Sequence, residues 1–154
     1  MRAVRISAKA DYAVRAALEL AAAESPPVKG ERLADAQSIP LKFLENILGD
    51  LRQSGLVVSQ RGPDGGYRLE RPASEITVAD IIRAVDGPLA SVRGERPELM
   101  HYAGPAEQLA PVWLALRAAV RGVLEHVTLQ DMVDGKIPRE VADLARDPDA
   151  AKRR

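Results

Sequence analysis

The sequence predicts a mainly α-helical protein with a small β-wing, and three observations carry that prediction. Across residues 31–69, apolar residues fall at helical spacing on either side of Ser38-Ile39-Pro40. Proline fixes φ near its helical value and is tolerated in a first turn, so it separates one short helix from the next. The β-branched run Leu56-Val57-Val58 and the return Tyr67-Arg68-Leu69 then flank Arg61-Gly62-Pro63-Asp64-Gly65-Gly66, a stretch dense in turn residues. Far downstream, Leu109, Trp113, Leu116, Val120, Val123 and Val127 recur at alternating spacings of four and three, a heptad seam on one helix. Together these describe a winged helix-turn-helix domain followed by a long C-terminal dimerisation helix.

The first helix is expected over residues 8–24, with Ser7 as its N-cap. Ala10, Ala13, Val14, Ala17, Leu18 and Ala21 form its apolar stripe, and their small size allows close neighbours. Pro26-Pro27 breaks the chain, and Lys29-Gly30 leads into a helix over residues 31–37. The following helix, residues 40–53, gathers Leu41, Leu44, Ile47, Leu48 and Leu51 on one side. The opposite arc holds Lys42, Glu45, Asn46, Gly49 and Gln53, with Phe43 and Asp50 at its edge. A cation, an amide and a carboxylate are the groups that pair with guanine, adenine and cytosine edges in a major groove. The same residues would also suit the solvated face of an ordinary core helix. The wing favours nucleic acid, because Arg61 on a glycine-rich turn has little structural reason to be there. Ser54-Gly55 closes the helix, glycine reaching the left-handed conformation without strain.

After the connector Arg71-Pro72-Ala73, Thr77 is the expected N-cap of a helix over residues 78–85, stopped by Gly87-Pro88. Residues 89–105 show no period and read as a loop. Pro111 falls in the first turn of the long helix. Its seam needs cover, either from the winged domain or from a partner; a second copy is simplest, since the winged domain is complete by Gly87. A short helix capped by Thr128 runs over residues 128–133 and ends at Gly135. The expected segments are therefore 1–87 for DNA binding, 88–105 as a loop, 106–137 for dimerisation, and 138–154 as a charged, alanine-rich tail.

The 154 residues balance 22 basic against 22 acidic side chains, which argues against a generic polyanion binder. Residues 1–71 hold 11 basic and 9 acidic groups. Affinity for DNA must then come from the placement of Arg2, Arg5, Lys9, Lys42, Arg52, Arg61 and Arg68, and must weaken with salt as counterions are released. No secretory leader pattern opens the chain, and no run approaches the roughly 18 apolar residues of a membrane span. The expected location is cytoplasmic, at the nucleoid when bound. There are no cysteines, hence no disulfides and no thiolate metal site. With two unpartnered histidines and no phosphate-cradling loop, an enzyme has no support. A winged helix used only for protein–protein contact is the alternative.

Residues 7–14, 41–48, 51–57 and 61–67, in that order and spacing, together resemble the bacterial IscR/NsrR-type (Rrf-two) family of dimeric winged-helix transcriptional regulators. The resemblance continues through residues 76–87 and 128–133 and so covers nearly the whole chain. It implies phosphate contact by Lys9 and Tyr12, the latter otherwise core filler, and places Lys42, Phe43 and Glu45 over the major groove, with Pro40 and Asn46 also in the expected DNA-binding set. It also implies that Arg61, with Gly62 and Pro63 behind it, enters a minor groove, where narrow A·T-rich segments concentrate negative potential. The operator is then palindromic and the protein a homodimer. Many relatives hold an iron–sulfur cluster through three cysteines in the loop. Here Gly94, His101 and Glu107 fall roughly at those positions, and Ala110 where one branch has its histidine. Asp11 matches a cross-subunit acid of the nitric-oxide-sensing branch, but it also suits a helix N-terminus electrostatically. Iron–sulfur clusters want thiolates, so this reads as a cluster-free member without a cofactor. Glu95, Glu98, Glu107, His101 and His126 show no metal-ligand spacing, so no metal site is expected. A small-molecule or protein effector between the winged domain and the long helix remains; Trp113 either lines such a pocket or fills the seam. Repression is the simpler mode, since a bound dimer occludes a promoter.

Overall fold

A computed structural model describes residues 4–153; Arg2 and the final Arg154 lie outside the described residues. The helices are α1 (Ala8–Ala22), α2 (Gly30–Gln37), α3 (Leu41–Gln53), α4 (Val78–Asp86), α5 (Leu109–Leu124), α6 (Leu129–Val133) and α7 (Arg139–Ala145). Strands β1 (Val57–Gln60) and β2 (Gly66–Leu69) form one antiparallel hairpin, with Val57 opposite Leu69 and Gln60 opposite Gly66.

Helix α1 is the hub. Ala13, Ala16 and Ala17 are fully buried, and their lack of bulk lets α2, α3, α4 and α6 all reach it. Leu33, Leu44, Ile47, Leu48, Leu51, Ile76, Ile81 and Leu129 fill the space around it. Truncating Leu48 to Ala in such a site costs about 2–5 kcal/mol. Ser7 caps α1 as expected, its side chain accepting from the Ala10 amide at 3.0 Å. The helix ends at Ala22, two residues short of expectation. Leu41, placed by its spacing on the packed side of α3, remains 38% exposed because it is the first residue of the helix.

The wing is anchored as well as paired. Val28 exchanges backbone hydrogen bonds with Tyr67 at 2.9 and 2.8 Å, so the chain before α2 adds a one-residue third strand. One glycine permits the tight turn and the next permits this close approach. A Cβ on Gly65 would stand 2.2 Å from the Gln60 carbonyl oxygen, and one on Gly66 would stand 2.5 Å from the Val28 backbone.

Thr77 and Thr128 cap α4 and α6, and each closes a capping box with the aspartate three residues on, Asp80 and Asp131. The two caps lie side by side: the Val78 amide donates to the Val127 carbonyl and the Leu129 amide to the Ile76 carbonyl, both at 2.9 Å. That pairing draws Val127 into its own chain, where it is 6% exposed. Val127 is thus largely covered by its own chain.

Other residues of the α5 seam also make contacts within the chain. Trp113 and Val120 turn inward: Trp113 Nε1 donates to Tyr102 Oη at 3.1 Å, and Val120 packs with Leu124 against the cluster of Ala10, Ala79, Ile82 and Leu89. Leu109, Leu116 and Val123 sit half-buried at the boundary, while Val112, Ala115 and Ala119 face solvent. The loop before α5 contains short 3-10 turns at Pro97–Leu99 and Gly104–Ala106, and the charged tail includes α7. No helix among the described residues is long and apolar enough to cross a membrane.

Candidate nucleic-acid interface

Helix α3 buries Leu44, Ile47, Leu48 and Leu51 and leaves Lys42, Phe43, Glu45 and Asn46 exposed. The polar arc seen in the sequence is thus an outer surface of the domain. Pro40, also exposed, is the N-cap of α3, and its carbonyl accepts from the Leu44 amide at 3.0 Å. Before it, Ser38 adopts a left-handed conformation and the Ile39 amide closes α2 onto the Ala34 carbonyl. These turns fix the angle at which α3 leaves α2. Lys42, Glu45 and Arg61 have no ion-pair partner among the described residues, so their charges face solvent. Arg61, Gly62 and Pro63 are all exposed at the wing tip. Arg52 is held toward β1, donating to Ser59 Oγ at 3.1 Å.

Two expected backbone contacts, Lys9 and Tyr12, are engaged within the molecule. Lys9 Nζ pairs with Asp50 Oδ2 of α3 at 2.6 Å. The Tyr12 ring meets the Phe43 ring edge-on, 5.6 Å between centroids, and the Arg15 guanidinium sits 4.8 Å from the Tyr12 centroid. Arg15 in turn donates to the Gln37 carbonyl and pairs with Asp11 at 3.0 Å. Helix α1 therefore braces the exposed helix through one ion pair and one aromatic contact. The bracing role of Asp50 was not assigned from sequence, although its place one turn beyond Asn46 put it at the edge of the polar arc.

The loop of residues 88–108 carries its own fastening. Glu98 accepts from Arg96 at 2.8 Å and also from Arg117 of α5, whose side chain is only 12% exposed. Its own backbone amide, then Arg96 and Arg117, lower the Glu98 carboxyl to about 2. At the far end of α5, Arg83 of α4 binds Glu125 and lowers its pKa. With Glu98 committed to arginines, no group of three or more His, Cys, Asp or Glu among the described residues could hold a metal ion. An iron–sulfur cluster does not fit this chain, which has no thiolate to offer it.

A helix-turn-helix with an adjoining β-wing, its outer helix face polar and open, defines the winged-helix class of regulators. Comparison narrows the class. The family described as "Rrf2: Iron-dependent Transcriptional regulator" matches residues 6–135, and the chain belongs to that family. It is 52% identical over 145 residues to a Mycobacterium tuberculosis (H37Rv) protein assigned as an HTH-type transcriptional regulator, Rv1287, covering 94% of this chain and 90% of that one. It is 36% identical over 152 residues to IscR of Photorhabdus laumondii, covering 98% and 90% of the two chains. Among solved structures, CymR (YrzC), the global cysteine regulator of B. subtilis, superposes with TM-score 0.73 at 32% identity, over 87% of this chain and 99% of that chain. T. potens IscR gives 0.68 at 29% identity, over 98% and 93%. The protein is thus a transcriptional regulator rather than an enzyme, and one without the cysteines to ligate an iron–sulfur cluster.

Proposed function

We propose that the chain is a homodimeric, sequence-specific DNA-binding regulator of the bacterial cytoplasm. It acts as a repressor at a palindromic operator, without an iron–sulfur cluster, under the control of a small-molecule or protein effector. The observation that carries this reading is the open Lys42–Glu45–Asn46 face of α3, braced from behind by Lys9–Asp50 and Tyr12–Phe43 and accompanied by the unpaired Arg61 at the wing tip. In this reading α3 occupies a major groove and the wing a neighbouring minor groove. Glu45 selects by accepting from a cytosine amino group and repelling other edges.

Dimerisation is supported by the composition of α5. Of its 16 residues only Arg117 and Arg121 are charged, and Val112 and Leu114 are 54% and 42% exposed. A helix apolar on nearly every side is ordinarily covered on nearly every side. We assign the partner contact to Val112, Ala115, Ala119 and Val123, with Leu109 and Leu116 at its margin. Small residues at 115 and 119 allow two such helices to approach closely. Two-fold symmetry then gives inverted half-sites whose centres lie about one DNA turn, or a multiple of it, apart. Gel shifts with genomic fragments at two salt concentrations test the reading. Salt-sensitive binding of a small subset of fragments is expected, whereas binding of none would leave the α3 face as a protein-contact surface.

A further inference from the structure

Between the N-terminal arm, the end of α4, residues 88–93 and α5 lies a cleft of about 480 Å³. That lies within the roughly 300–1,000 Å³ of small-molecule sites. Its walls are mainly apolar, built by Ile82, Leu89, Trp113, Leu116, Val120 and Leu124. Val4 and Ile6 of the arm also line it, yet remain 75% and 62% exposed. The polar groups are few and unequal. Among the described residues Asp86 is the one carboxylate in the lining, and it accepts from the Ser7 hydroxyl at 2.5 Å. Arg5 and Arg93 also line the cleft and have no ion-pair partner among the described residues. Two uncommitted guanidiniums at the edge of an apolar recess favour an anion, because a charge-assisted hydrogen bond there replaces water on both partners. The wall bearing Arg93 is also strained: Ala90 and Arg93 hold φ at 50° and 52°, a conformation that side-chain-bearing residues rarely adopt. Strain of that kind collects at ligand clamps and switch segments.

We propose that this cleft binds a small amphipathic monocarboxylate, its aliphatic or aromatic body between α4 and α5 and its carboxylate against Arg5 and Arg93. The proposal rests on the effector reading above and names the chemical class of that effector. A route from the cleft to the DNA face is short. Asp86 lines the cleft and holds Ser7; Ser7 caps α1; and α1 braces α3 two residues later through Lys9 and Asp50. Occupancy beside Arg5 and Asp86 therefore acts on the end of α1 that braces α3.

The test follows the emission of Trp113, the chain's single tryptophan, in the full-length protein. The probes are phenylacetate and octanoate, with phenylacetamide and octanamide as neutral counterparts. A saturable change with the acids, weakened about tenfold or more by Arg93→Gly and by Arg5→Ala, supports the site. Arg93→Gly suits the left-handed backbone and leaves no partner stranded, and calorimetric titration reads the same binding without relying on Trp113. An equal response to acids and amides, or none to either, overturns the proposal. Emission that follows protein concentration and ignores the probes would place a second copy in the cleft and overturn it too. A labelled genomic fragment in the same solution separates the layers. Its affinity should move about 5-fold or more with the acid. Probe binding without that movement refutes the effector role while the site stands, and a protein that retains no fragment refutes the regulator reading itself.

Discussion

Replacing Arg61 with alanine should weaken binding to every operator variant alike, and the loss should be readable as a change in salt dependence. Arg61 is exposed at the wing tip and unpaired among the described residues, so its removal disturbs no packing and leaves no orphaned carboxylate. Each cation that displaces a condensed counterion contributes about −0.9 to the slope of log K against log salt. A two-fold dimer loses two such contacts, so the slope should become shallower by about 1.8. Between 50 and 200 mM salt, a fourfold range, the wild-type protein should therefore lose about 12-fold more affinity than Arg61→Ala. Fluorescence anisotropy of a labelled operator, titrated at four or five salt concentrations, measures both slopes. Glu45→Ala is the companion variant: it should leave the slope nearly unchanged and relax sequence choice at one base position by about 1–3 kcal/mol. Equal slopes for wild type and Arg61→Ala, or equal losses for both variants across a panel of operators, would refute the division of labour between wing and helix. A shifted melting temperature for Arg61→Ala would refute the premise that this side chain is structurally idle.

Gly65→Ala should cripple the wing while sparing the helical core. Its Cβ would stand 2.2 Å from the Gln60 carbonyl oxygen, so the hairpin must open; about 1–3 kcal/mol of lost stability and loss of operator binding are expected in thermal melts and gel shifts. Ala119→Glu places a charge on the exposed face of α5 and should dissociate the dimer, seen by sedimentation as a fall to half the mass with unchanged helical circular dichroism; an undisturbed dimer would show that another surface joins the protomers. Acidification should release the loop from α5 late. Because the folded-state pKa of Glu98 is depressed to about 2 from an ordinary value of 4.5, its contribution is present above pH 4.5 and is lost as pH falls from there toward 2. Trp113 emission should hold steady from pH 7 to 5 and shift only below that, the shift being absent in Glu98→Gln.

Much of this molecule was legible because local signals and tertiary needs agree. Pro40, Gly55 and the Gly65-Gly66 pair punctuate the chain where the backbone turns, and Thr77 and Thr128 both cap the helices expected of them. The polar arc of α3 followed from helical period alone, since one helix face must be buried for the domain to close. What the sequence does not announce depends on long-range pairing. Nothing near Val127 announces that its carbonyl will accept from Val78, 49 positions earlier, so a regular seam carried it outward on paper while the fold carries it inward. The α1 brace was likewise hidden: Lys9 and Tyr12 look like free phosphate contacts until Asp50 and Phe43 are brought beside them. The cleft at residues 88–93 draws its walls from four separate segments and has no local signature.

Two copies of the α3 face are expected to read one operator. Hydroxyl-radical footprinting of the purified protein on the genomic fragment it retains most tightly tests it most directly. Two protected half-sites of inverted sequence are expected, centred about 34–36 Å of duplex apart or a multiple of that, both lost together in Lys42→Ala/Asn46→Ala. A single unpaired protected stretch, or a footprint that survives that double substitution, would contradict it.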